Sequence, residues 1–204
     1  MRLSYLGNQS WLDITREERL FCSHLYQDIR SSHLEQGFVQ WLKEAAAWKD
    51  GAVPEALVAE QEWEIGYEVC FYRDLLNSRG ESVNSTDYPN KRTFDLCLFS
   101  EQCVVIVEAK VHERFDGKQL GSVIEDRDNV KRIIATGNGD APEVVTIALA
   151  SSAYFDNVET YGHSIKGPLH DAFDGKVTWK AVSEFVNNPL YAKADGQYPH
   201  GAAS

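Results

Sequence analysis

Several common features are missing from these 204 residues. No apolar run reaches the roughly 18 residues of a membrane span. The opening "MRLSYLGNQSW" lacks the apolar core of a signal peptide. The expectation is a cytoplasmic protein with no membrane partner. The four cysteines, Cys22, Cys70, Cys97 and Cys103, include no C-x-x-C pair, and a chain of this length needs no disulfide framework. They read as reduced core thiols, a Cys97–Cys103 bridge being the lesser alternative. The six histidines show no H-x-x-x-H spacing, so a histidine zinc site is not indicated. A glycine-rich phosphate loop and a G-x-S-x-G elbow are also absent. Positive charge is scarce: 20 Lys and Arg stand against 31 Asp and Glu, a net charge of −11. That argues against a general nucleic-acid coat. It leaves room for a site that meets phosphates through a local basic patch.

What is present reads as one α/β unit. Thr15-Arg16-Glu17-Glu18 has the form of a capping box, and Leu20, Phe21, Leu25 and Ile29 follow at helical spacing. Ser32-His33-Leu34-Glu35 repeats the signal, so residues 15–48 are expected to form a helical hairpin. Residues 55–79 read as a long third helix ending at Gly80. Two strands follow at 93–99 and 103–111, then a helix in "DGKQLGSVIEDRDNVKRIIATGNG". "EVVTIALASSAY" suits a central strand buried on both faces. Residues 156–176 look irregular, and "VTWKAVSEFVNN" suits a strand running into a helix. The expected organisation is a hairpin at 1–50 packed on an α/β domain at 51–190, with a flexible tail at 191–204.

The stretch "RTFDLCLFSEQCVVIVEAKV" carries three charged groups inside apolar strands. A two-residue loop at Glu101-Gln102 places Asp95 opposite Glu108. Opposed side chains lie roughly 4.5–5.5 Å apart at Cβ. Lys110 is two residues beyond Glu108 and shares its face. Two carboxylates so crowded repel each other, and a divalent cation offsets that. A one-residue slip would send Asp95 to the other face. On the expected third helix, Glu68 falls among Ile65, Phe71, Tyr72 and Leu75, an apolar setting unusual for a carboxylate. On the later helix, Gln119 falls on a stripe with Val123, Asp126, Val130 and Ile133. The plainer readings are a cross-strand ion pair for Asp95, Glu108 and Lys110, a paired helix carboxylate for Glu68, and a surface amide for Gln119.

With Asp95 in "RTFD" and Glu108-Ala109-Lys110 in "VVIVEAK", the chain resembles the PD-(D/E)XK nuclease superfamily over about residues 55–150. The resemblance implies a restriction-endonuclease-like α-β-β-α-β core, a mixed sheet flanked by helices, with the N-terminal helical hairpin added. It implies that Asp95, Glu108 and the Ala109 carbonyl bind Mg²⁺ or Mn²⁺ and that Lys110 assists the attacking water. Glu68 and Gln119 match accessory site positions. DNA is the implied substrate, with RNA open; so is a homodimer or a protein partner. Phe94 departs from the proline that often precedes the Asp. Asp116-Gly117-Lys118 and Asp174-Gly175-Lys176 also fit the bare motif, but neither ends an apolar strand. The alternative is a non-catalytic module of the same fold that binds nucleic acid or a protein.

Overall fold

The computed structural model describes residues 15–59, 61–135, 141–161 and 163–199. Its frame is a six-stranded mixed sheet in the order β1-β6-β5-β4-β3-β2. The strands are β1 Ala47–Trp48, β2 Glu64–Val69, β3 Phe94–Phe99, β4 Cys103–Ala109, β5 Glu143–Ala150 and β6 Gly175–Thr178. The strands β2, β3 and β4 form an antiparallel meander. β5 and β6 then add in parallel, and β1 closes the far edge antiparallel to β6. The helices are α1 Glu18–Ser31, α2 Glu35–Ala45, α3 Glu55–Val58, α4 Phe71–Ser78, α5 Gly117–Ala135, α6 Ser152–Tyr161, α7 His163–Ala172, α8 Trp179–Val186 and α9 Pro189–Asp195.

Alternation along the central strands splits the apolar core between the two faces of the sheet. Val105, Val107, Ile147 and Leu149 pack with Phe21, Leu25, Leu42, Trp179 and Tyr191 of α1, α2, α8 and α9. On the opposite face Phe94, Cys97, Val104 and Ile106 meet Tyr72 of α4 and Val130 of α5. Farther along that face, Ala148 and Ala150 lie under α5, α6 and α7. Every residue of β4 is buried, and in β5 only Glu143 is exposed. This is the double-sided burial expected of central strands.

The hairpin register agrees with the expectation, because Leu96 pairs with Val107 and Phe99 with Val104. Glu101-Gln102 is an unfavoured two-residue turn. Ser100 compensates: its hydroxyl donates to the Cys103 carbonyl and accepts from the Cys103 amide, both at 3.0 Å. All four cysteines are free thiols.

Three expectations are corrected. The long helix at 55–79 is instead the single turn α3, the edge strand β2 and the short helix α4. Ile65, Tyr67 and Val69 recur at period two, and edge pairing to β3 outweighs the helical spacing. Residues 156–176 are mostly helical despite Pro168 inside α7. Phe155, Val158, Leu169 and Phe173 supply the apolar contacts that hold these helices to the sheet. The expected tail at 191–204 begins within α9, where Tyr191 and Ala194 are fully buried and Tyr198 nearly so. Asn188 caps that helix by accepting from Leu190 N at 3.1 Å.

Candidate active site

The site lies where β4 ends. Asp95 and Glu108 belong to the alternating set that includes Cys97, Val104 and Ile106, so they face α4 and α5. One Asp95 oxygen accepts from the Ala109 amide at 2.8 Å, which pins it against the neighbouring strand. Glu108 is buried and accepts from Arg92 Nη2 at 2.7 Å. Arg92 Nε also binds Asp126 at 2.6 Å, and the other Asp126 oxygen accepts from the Tyr72 hydroxyl at 2.6 Å. The Arg92 guanidinium carbon lies 5.2 Å from the centre of the Phe94 ring.

Lys110 follows the last residue of β4. Its backbone amide donates to Leu149 O at 2.8 Å, and its carbonyl accepts from Trp179 Nε1 at 2.9 Å. The main chain on both sides of the side chain is therefore fixed. Its ammonium is buried and donates to both Glu18 oxygens at 3.1 Å. Glu18 opens α1, and it serves this amine rather than a capping box. The helix is capped without a side chain at Glu17.

Glu68 ends in a different place from the one expected. It sits near the end of β2 with φ of 51°, in the left-handed region. Tyr67 pairs with Leu96 and Val69 with Phe94, which puts Glu68 in the row of Asp95 and Glu108. Its carboxylate binds Arg19 of α1 at 3.3 Å. Gln119 is taken up in a reciprocal cap at the start of α5. Its amide donates to Asp116 Oδ1 at 2.8 Å, and its side-chain oxygen accepts from Asp116 N at 3.4 Å. Asp126 is the residue from that stripe that enters the cluster.

Burial first, and Asp95 next, push the Glu108 carboxyl up to about 8, against the pull of Arg92. Burial raises Asp95, opposed by the Ala109 amide and then Lys110. Glu18 and Asp126 are also raised by burial, opposed by Lys110 and Arg92 respectively. In all four the leading cause is burial, which Arg92 and Lys110 offset only in part.

The donors suit a small, oxygen-seeking cation. Asp95 and Glu108 each keep one carboxylate oxygen that receives no hydrogen bond among the described residues. The Ala109 carbonyl follows Glu108 directly in sequence. No group of three or more His, Cys, Asp or Glu side chains gathers tightly enough to hold a metal among the described residues. Magnesium commonly takes only one or two carboxylates and completes its shell with water and substrate oxygens, so two donors meet that need. Glu68 and Asp126 do not provide a third.

Sequence reasoning missed three members of the cluster. Arg92 stands in the same "RTFD" as Asp95, and the sequence offers it, or Arg73, as a partner for Glu68; it pairs instead with Glu108 and Asp126. Tyr72 was read as part of a longer helix. Glu18 was read as a cap. Asp126 was visible as a carboxylate on an apolar helical stripe. Comparison with family models, with curated proteins and with solved structures finds no match.

Proposed function

We propose that the chain is a divalent-metal-dependent nuclease of PD-(D/E)XK type that hydrolyses phosphodiester bonds, most naturally in DNA. One observation carries this reading: the Asp95 carboxylate lies on the Ala109 amide, between Glu108 and Lys110, at the end of a buried strand. The order α4, β3, β4, α5 and β5 suits the α-β-β-α-β core that the motif implies.

Asp95, Glu108 and the Ala109 carbonyl would hold Mg²⁺ or Mn²⁺. Such an ion polarises the scissile phosphate and lowers the pKa of water bound to it. Lys110 would orient or deprotonate the attacking water, or donate an N–H hydrogen bond to the developing charge on the phosphate. Glu18 fixes the direction of that amine. Glu68, once released from Arg19, would hold a second ion or a metal-bound water. Gln119 takes part only by leaving its cap with Asp116.

The test uses single- and double-stranded DNA, with RNA as a third substrate, at low salt. Low salt is required because few phosphates can be neutralised by an acidic protein and affinity falls steeply with ionic strength. Cleavage should need Mg²⁺ or Mn²⁺ and stop with EDTA. Lys110→Ala should lose about a hundredfold or more in rate yet keep the rise in melting temperature that the ion gives. Glu108→Ala should lose both, and Asp95→Asn most of the thermal gain. Unchanged cleavage by Lys110→Ala would sink the proposal.

The second reading, a non-catalytic module that binds nucleic acid or a protein partner, is favoured by the internal pairing of the site's charges. Arg92 covers Glu108, and Glu18 covers Lys110. Its signature would be bound metal without cleavage of any substrate.

A further inference from the structure

The bonding around Arg92 is asymmetric. Asp126 is held through both oxygens, by Arg92 Nε and by the Tyr72 hydroxyl, and it projects from the buried stripe of α5. Glu108 has Arg92 on one oxygen and no hydrogen bond to the other among the described residues. Arg92 thus meets Asp126 through Nε and Glu108 through Nη2, while Nη1 donates to the Thr93 carbonyl at 3.4 Å. The Arg92 side chain keeps 22% of its surface exposed, against 9% for Glu108 and 4% for Asp126. It is the member of this chain of contacts that solvent reaches most easily.

We propose that Arg92 is the resident cation of the site. It neutralises Glu108 where a divalent ion would otherwise do so. Once Glu108 turns to that ion, the guanidinium, still held through Nε by Asp126, presents Nη2 to a phosphate of the nucleic acid. This rests on the nuclease reading and adds a residue to it.

The physical reasons are charge and geometry. A buried carboxylate needs a positive partner, and a divalent ion on Glu108 repels the guanidinium that now serves it. A guanidinium released from one carboxylate retains a planar fork suited to phosphate oxygens. Asp126 prevents it from swinging away. Tyr72 in turn fixes Asp126, and it stacks on Tyr88 with centres 5.4 Å apart. The anchor is therefore part of the packed face of the sheet.

Calorimetric titration of the full chain with Mn²⁺ alone tests the first half. Arg92→Met removes the competing cation and should tighten Mn²⁺ binding by about tenfold or more. Arg92→Lys cannot span both carboxylates, so it should shift affinity in the same direction by less. It also serves if the methionine variant does not fold. The second half is read by anisotropy of a short fluorescent DNA duplex in a Lys110→Ala background, where turnover is suppressed. Arg92→Met, or Arg92→Lys in its place, should weaken duplex binding when Mn²⁺ is saturating and leave it unchanged without Mn²⁺. Equal Mn²⁺ affinity in wild type and variants, or the same loss of duplex binding with and without Mn²⁺, would overturn the inference and leave the nuclease reading standing. Failure of wild type and all variants to bind Mn²⁺ would remove both.

Discussion

Glu108 shares its surroundings with Asp95 and Asp126, and its proton is coupled to stability. Its folded-state value of about 8 lies above the ordinary 4.5. Between those values the folded chain holds a proton that the unfolded chain has released, so stability falls as pH rises. The contribution is complete below about pH 4.5 and lost as pH passes about 8. Asp95, Asp126 and Glu18 are raised as well and act in the same direction. Metal-free protein should therefore melt at a lower temperature near pH 8 than near pH 5, and Glu108→Gln should flatten that slope. Melts at several pH values with EDTA present check this. A steeper slope in Glu108→Gln would refute the assignment. Trp179 makes a separate residue-scale case. It is fully buried and donates to the Lys110 carbonyl at 2.9 Å. Trp179→Phe should cost about 1–3 kcal/mol by leaving that carbonyl unsatisfied, measurable by denaturant unfolding.

At the scale of elements, β2 carries the strain. A non-glycine residue at φ of 51° pays about 1–2 kcal/mol relative to ordinary regions. Glycine does not pay it. Glu68→Gly and Glu68→Ala both lose the half-exposed pair with Arg19, so the glycine variant should be the more stable by about 1 kcal/mol. Chemical denaturation of the two variants decides it. The same segment shows how far the sequence could be read. The β3–β4 register was legible because apolar runs, loop length and paired acids all pointed the same way. The edge strand β2 was not, since its six residues satisfy a helical spacing nearly as well as a period of two. Only pairing with β3, a long-range contact, breaks the tie. The helices α6 and α7 were hidden for a related reason. Glycine, proline and polar residues lower their local propensity, and tertiary burial of Phe155, Leu169 and Phe173 restores it. In the site, Asp95 and Glu108 were legible as charges inside strands. Glu18 and Tyr72 were not, because their roles exist only once distant helices pack.

For the molecule as a whole, α9 behaves as core. Tyr191 stacks on Trp179 with centres 6.0 Å apart and donates to Asp28 at 2.7 Å, and Asn188 donates to Asp28 at 2.9 Å. Removing residues 188–204 exposes the partners of two buried tyrosines and a buried alanine. At about 1.5–3 kcal/mol for each large side chain, the loss approaches the 5–15 kcal/mol of a typical domain. The shortened chain should show a broadened, strongly lowered melting transition by circular dichroism. A melt like that of the full chain would mean α9 contributes little.

The salt bridge from Lys110 to Glu18 also has a consequence in time. The amine is given its direction by a residue near position 18, its carbonyl is tied down by Trp179, and α1 is itself braced through Asp28 by Tyr191. Translation adds about 5–20 residues per second, so on the order of ten seconds separates the first of these partners from the last. Until the last partner is made, the growing polypeptide lacks the full bracing that aligns its acids and its amine. A site braced this way is assembled only after the ribosome has reached residue 191.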